Sequence, residues 1–287
     1  MAKEDKIFST SIRVKWFGNV ERSLLDWVTS TLCQFYQRVR LPCNEVELLL
    51  FEDRLVMEAY LKREGERFAT EHGFEYAPIA LGFSSMHHAW SGRPTIVVCS
   101  KTIRERDRFV VLGELRHEAG HSVLHGSPEF YLIRPPEILE KLTIKKKLDR
   151  RVANMAFYLI STGVKDFEVT RLLVENGYVD CQRALHTWSL RISDEEKQAS
   201  RLAEDNYNVA FLLLANTMKP VMGSVPLLGT DANSELLPLV EENLSLLPRS
   251  AQVLARRIIK EWIPKLRGGT LENIRMFVEN IALHETS

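Results

Sequence analysis

The chain has 287 residues, with 38 basic and 38 acidic side chains and a formal net charge of +0. Apolar residues make up 45 % and charged residues 26 %, which excludes a disordered tail, a collagen and a coiled coil. Zero net charge removes any global attraction to nucleic acid or anionic membranes, and the length provides interior for one large or two ordinary domains.

In chain order, Val20–Val39 reads as an amphipathic helix, with apolar residues at Leu24, Trp27, Val28, Leu32, Phe35 and Tyr36, stopped by Pro42. Val46–Phe51 has β character. Arg54–His72 reads as a second helix, ended by Gly73. Ile79–Ser85 and Thr95–Cys99 read as strands, the latter following the turn signal Ser91-Gly92-Arg93-Pro94. Arg104–His125 reads as a third helix, closed by Gly126 and Pro128. Beyond Pro136 the pattern is helical: Glu137–Ser161, Lys165–Asn176, Cys181–Leu190 and Asp194–Met218. A loop marked by Pro220, Gly223, Pro226 and Gly229 follows, then two or three helices over Asn233–His284.

The expected class is therefore α+β: residues 1–130 form a small mixed sheet with helices, and residues 131–287 form an all-helical half. The four cysteines, Cys33, Cys43, Cys99 and Cys181, show no Cys-x-x-Cys spacing and read as reduced thiols. The charged start, Met-Ala-Lys-Glu-Asp-Lys, lacks an apolar h-region. The apolar stretches near Met155–Ile160 and Val209–Ala215 are too short to span a bilayer. The expectation is a cytoplasmic protein without a membrane partner. The five tryptophans, Trp16, Trp27, Trp90, Trp188 and Trp262, read as core or interface anchors.

One motif carries chemistry: His117-Glu118-Ala119-Gly120-His121, of the form H-E-x-x-H, inside the third helix. Residues four apart share a helix face, about 6 Å apart along the axis, so two imidazoles there can share one tetrahedral Zn2+. The glutamate between them can act as general base. Val111, Leu112, Leu115, Ala119 and Val123 form an apolar stripe. His117 and His121 project from the other side, with Glu114 and Glu118 at its edges, toward a cleft. His125 stands about 12 Å along the axis from His117, too far to share its metal, and reads as a partner of the helix C-terminal carbonyls.

A third ligand must come from farther along. The helical run Gly163–Leu173 places two acids, Asp166 and Glu168, among apolar neighbours, where a carboxylate needs a partner. They stand about 200° apart around the axis, so only one can face the metal. Either could also pair with Arg171. Asp149 and Glu140 are weaker alternatives.

The segment Thr95–Gly126, with its Arg-x-His-Glu-x-Gly-His-x-x-Leu-His run, resembles the active-site segment of zincin metallopeptidases of the gluzincin type. Locally it is similar to the ImmA/IrrE-like peptidases. The resemblance implies a zincin-like core, His117 and His121 as zinc ligands, Glu118 as general base, and an edge strand around Gly82–Trp90. Where those peptidases carry a glutamate before an Ala-Asn pair, Val152 precedes Ala153-Asn154, which returns the third-ligand question to Asp166 and Glu168.

The expected function is zinc-dependent peptide-bond hydrolysis on a peptide or protein substrate. The alternative is a non-catalytic zinc protein acting as an interaction scaffold. Oxyanion candidates are Tyr131, Tyr158, Tyr178 and His186. His87-His88, near the expected edge strand, could line a cleft, but such a pair more often reads as exposed polar surface. The basic stretch Lys141–Arg151 spreads its charge around a helix without interleaved aromatics, and so reads as a solvated helix rather than a nucleic-acid surface.

Overall fold

A computed structural model describes residues 10–74 and 84–286. The chain divides between Leu132 and Ile133 into two units, an α/β unit and a helical one, which together give an α+β protein.

The first unit opens with β1 (Ser11–Phe17), a strand that the reading above does not contain. Its alternation of Ile12, Val14 and Trp16 with Arg13 and Lys15 is period two, but the strand lies at the sheet edge and is mostly exposed. Trp16 is 54 % exposed, so it is no core anchor. α1 (Arg22–Arg38) buries Leu25, Val28, Leu32, Phe35 and Tyr36, the stripe its spacing predicts. β2 (Glu45–Phe51) pairs parallel to β1, and Glu45 and Glu47 meet Arg13 and Lys15 across the strands at 2.7 and 2.6 Å. α2 (Arg54–His72) starts at Asp53, whose carboxylate accepts from the Leu55 N–H at 2.9 Å. It ends at Gly73, in the left-handed region at φ 72°.

Two further strands complete the sheet: β3 (Ser85–His88) and the fully buried β4 (Thr95–Cys99). The strand expected over Ile79–Ser85 falls largely outside the described residues; the observed one starts where it was expected to end. The order is β1-β2-β4-β3, parallel except for β3, which runs antiparallel to β4 at the edge. Strand alternation sends Met86 and His88 to one face and His87 to the other. The first face carries Leu49, Phe51, Val97 and Cys99 onto Met57 and Leu61 of α2.

The helix expected from Arg104 is two helices, α3 (Ser100–Glu105) and α4 (Arg108–Leu124). Arg106 between them is extended, and Asp107 caps α4 by accepting from the N–H groups of Phe109 and Val110. α4 packs against β3, β4 and α1. Tyr36 of α1 meets the Ser122 hydroxyl at 2.7 Å, and burial raises the Tyr36 phenol above its ordinary range.

The second unit is entirely helical among its described residues. α5 (Glu137–Lys146) ends at Lys147, a non-glycine residue at φ 52°. α6 (Arg150–Glu175) is capped by Asp149, which accepts from the Arg151 N–H at 2.7 Å. α7 (Val179–Ser189), α8 (Asp194–Ala203) and α9 (Tyr207–Ser224) follow, then α10 (Asn233–Ser245), α11 (Arg249–Arg257) and α12 (Thr270–Thr286).

Four expected boundaries move. The break expected near Gly163 is absent, because Gly163 serves packing: a Cβ there would stand 3.2 Å from the Lys219 Cα and from the Met222 Sδ of α9. Asp149, conversely, opens a helix where none was expected to start. The helix expected over Asp194–Met218 divides at Asn206, which caps α9. α9 runs through Pro220 to Ser224, in place of the expected loop. The helix interior tolerates a proline at a cost of about 3 kcal/mol, set here against the burial of Leu213, Leu214, Met218, Val221 and Met222.

The stretch Tyr207–Gly229 is long and apolar enough to cross a bilayer, which corrects the estimate made on Val209–Ala215 alone. Most of it is buried inside this unit, chiefly against α6, as in a core helix. The basic stretch 141–151 spans the α5–α6 junction rather than one helix face, and Lys146 approaches Glu285 at 3.8 Å.

Candidate metal centre

The motif lies mid-helix on α4. Val111, Leu115 and Ala119 are buried as expected, but the other flank is not an open face. Glu114 is 2 % exposed and His117 8 %. Glu114, expected at the edge of the stripe, is instead gripped by the Arg106 guanidinium and the Ser84 hydroxyl. Burial pushes its carboxyl up, while those two partners pull the other way. The helix is therefore anchored by a buried ion pair one turn before the histidines.

Nε2 of His117 and Nε2 of His121 are 3.1 Å apart, with the rings steeply inclined at 75°. Two ligand atoms held tetrahedrally about 2.0–2.1 Å from one zinc stand about 3.3 Å apart. The donor pair thus fits a shared tetrahedral ion in both chemistry and spacing. Glu118 follows His117 on the same helix and is half-buried.

His125 has a ring neighbour that the helix-end reading did not include. Its backbone N–H closes on the His121 carbonyl at 2.7 Å, but its ring turns back along the helix. Nδ1 of His125 lies 3.0 Å from Nδ1 of His121. The three imidazoles form a row, with His121 in the middle using one nitrogen on each side. Phe130 meets the His125 ring edge-on at 5.2 Å.

His87 and His88 are both buried, at 5 % and 2 % exposure, contrary to the surface reading. As neighbours on a strand they face opposite sides of the sheet. His87 lies on the α4 side, nearly parallel to His121 with centroids 6.2 Å apart, and its Nδ1 meets the Tyr131 hydroxyl at 2.7 Å. His88 lies on the α2 side, stacked on Trp90 at 4.3 Å, and burial lowers its pKa to about 3. Of the four oxyanion candidates, Tyr131 is thus placed beside the histidines of the first unit. In the second unit, Tyr158 is exposed, Tyr178 is buried, and His186 meets Thr170 at 3.0 Å.

The two acids of α6 have different surroundings. Glu168 is 5 % exposed, and both its oxygens are taken: one accepts from the Thr270 hydroxyl at 2.7 Å, the other from the Asn273 amide at 2.6 Å. Asn273 also donates to the Gly268 carbonyl and accepts from the Gly268 N–H, so this cluster ties the start of α12 to α6. Asp166 lies on the other side of α6, toward α9. A Cβ at Gly223 would come 3.5 Å from its Cβ and 2.8 Å from Cε1 of His186. Arg171, the partner considered for both acids, donates to the Leu266 carbonyl at 2.8 Å. Asp149 is spent as the α6 cap, and Glu140 is exposed.

No family model, no curated protein and no solved structure matches this chain.

Sequence reasoning missed His125 as a neighbour of His121 and His87 as a neighbour of the motif. The i, i+4 spacing of His121 and His125 was a usable signal for the first. The second needed the register of β3.

Proposed function

We propose that this protein is a zinc-dependent metallopeptidase of the zincin type. One observation carries the reading: on an H-E-x-x-H helix, the Nε2 atoms of His117 and His121 converge to 3.1 Å, the spacing of two ligands on one tetrahedral ion. Of the two acids weighed as third ligand, Asp166 is the one this reading keeps, because the oxygens of Glu168 accept from Thr270 and Asn273.

A zinc ion held there supplies Lewis acidity toward a water and a carbonyl oxygen. Glu118, as general base, takes a proton from the attacking water and returns it to the leaving amine nitrogen. Tyr131, its hydroxyl held by His87, is the donor for the developing oxyanion. The antiparallel edge strand β3 offers main-chain groups to an extended peptide.

Elemental analysis of protein purified without added metal tests this, beside His117→Ala. The expected result is about one zinc per chain, lost in the variant, with peptide hydrolysis that disappears in Glu118→Gln. Absence of zinc even after reconstitution overturns the proposal. Stoichiometric zinc without hydrolysis of any peptide in a broad library leaves a zinc-binding scaffold instead.

A further inference from the structure

We propose that His125 is a positioning residue: it holds the proton of His121 on Nδ1 and so leaves Nε2 as a lone pair for the metal. The inference rests on the metal reading above and adds a residue that the motif does not contain.

His121 has two nitrogens and, when neutral, one proton. Its Nδ1 faces Nδ1 of His125 at 3.0 Å, a hydrogen-bond distance at which one nitrogen donates and the other accepts. If His121 donates, its Nε2 is unprotonated and can ligate. If His125 donates, the His121 proton sits on Nε2, the atom that converges with Nε2 of His117, and ligation is disfavoured. The tautomer of the pair therefore sets how readily the motif binds a metal. Ligand histidines commonly donate their second N–H to a carboxylate or carbonyl that fixes ring and tautomer; here the atom in that position is an imidazole nitrogen.

The local fold holds His125 in place. It ends α4 with its N–H on the His121 carbonyl, its ring has no exposure, and Phe130 covers the edge. The next residue, Gly126, admits no side chain: a Cβ there would lie 2.4 Å from the Ser122 carbonyl and 3.0 Å from Pro94. The chain turn that aims His125 back at His121 thus depends on a glycine against the preceding helical turn.

Two amide substitutions separate orientation from bulk. His125→Asn puts a side-chain oxygen where Nδ1 stands; His125→Gln carries its amide one bond farther, where Nε2 stands. Zinc affinity is read by competition with a chromophoric chelator, and folding by thermal melting of the metal-free proteins. The expected result is wild-type affinity within about threefold for Asn and a loss of about 10- to 100-fold for Gln, with melting of the two variants alike. In the metal-free protein, nitrogen-15 spectra of labelled histidine, assigned by loss of a signal in His121→Ala, should place the His121 proton on Nδ1 in wild type and Asn, and on Nε2 in Gln. Equal affinities of wild type and Gln, or a His121 proton on Nε2 in wild type, overturn the proposal. If wild type binds no zinc, the metal reading fails by itself, and the same spectra still decide whether His125 orients His121.

Discussion

Both units bury polar clusters, and the two clusters are built oppositely. In the helical unit the Glu168 carboxylate meets a hydroxyl and an amide, acceptor against donor, and each group satisfies the other. In the α/β unit His117, His121 and His125 line up ring to ring, with nitrogen facing nitrogen of the same kind. The first arrangement is complete and its work is structural: it fastens α12 to α6. The second satisfies itself only through particular tautomers, and it is the cluster on which the metal proposal rests. A buried carboxylate among apolar residues is therefore no guide to a metal ligand until its donors are counted.

The largest effect that would break this contrast is catalytic. Glu118→Gln should lower peptide hydrolysis by about 10²- to 10⁴-fold while zinc content stays at wild-type level. Unchanged turnover with bound zinc would remove Glu118 from the chemistry. Tyr131→Phe should lower kcat by about 10²-fold with KM within about twofold, because the hydroxyl acts on the oxyanion and not on the bound substrate. A rise in KM alone would make Tyr131 a substrate contact instead.

A paired substitution on α6 sharpens the contrast directly. Glu168→Ala should cost about 3 kcal/mol in urea unfolding, since it strands the buried Asn273 amide and the half-buried Thr270 hydroxyl, yet leave the zinc content intact. Asp166→Asn should reverse the pattern, with little loss of stability and loss of zinc. Zinc lost from Glu168→Ala at temperatures where it is folded, and retained by Asp166→Asn, would exchange the two assignments.

What sequence alone disclosed follows from the range of each interaction. The H-E-x-x-H helix, the stripe of α1 and the cap at Gly73 are local, and local periodicity and turn chemistry reveal them. The α+β class was legible for the same reason. β1 was not, because an edge strand needs little burial and its alternation is short. The role of Gly163 was invisible because its reason stands on another helix: the Lys219 backbone of α9 comes so near that a Cβ would be in tight contact with it. His87 and Tyr131 are 44 residues apart and meet only through the placement of β3 beside α4. The partners of Glu168, Thr270 and Asn273, likewise stand about a hundred residues away, where no window on α6 reaches them.

The smallest predicted effect compares the two faces of the sheet through its adjacent histidines. His88 lies against Trp90 on the α2 side, and neither of its ring nitrogens meets a partner among the described residues. Burial lowers its pKa from 6.5 to about 3, so between those values the folded protein keeps it neutral while the unfolded chain protonates it. The unfolded state then binds more protons, and stability must fall as pH falls below about 6.5, by up to about 1.4 kcal/mol per pH unit from this group. Glu114 has the opposite sign: its raised carboxyl contributes stability below the ordinary glutamate range, lost as pH rises through the folded value. That contribution is common to wild type and His88→Phe, a substitution that keeps the stacking on Trp90. The stability difference between the two should therefore move in favour of the phenylalanine by about 3 kcal/mol between pH 7.5 and 4.5, read from urea unfolding of the full chain at each pH. Parallel stability profiles would show that His88 is protonated in the folded state and that the α2 face of the sheet holds a partner for it.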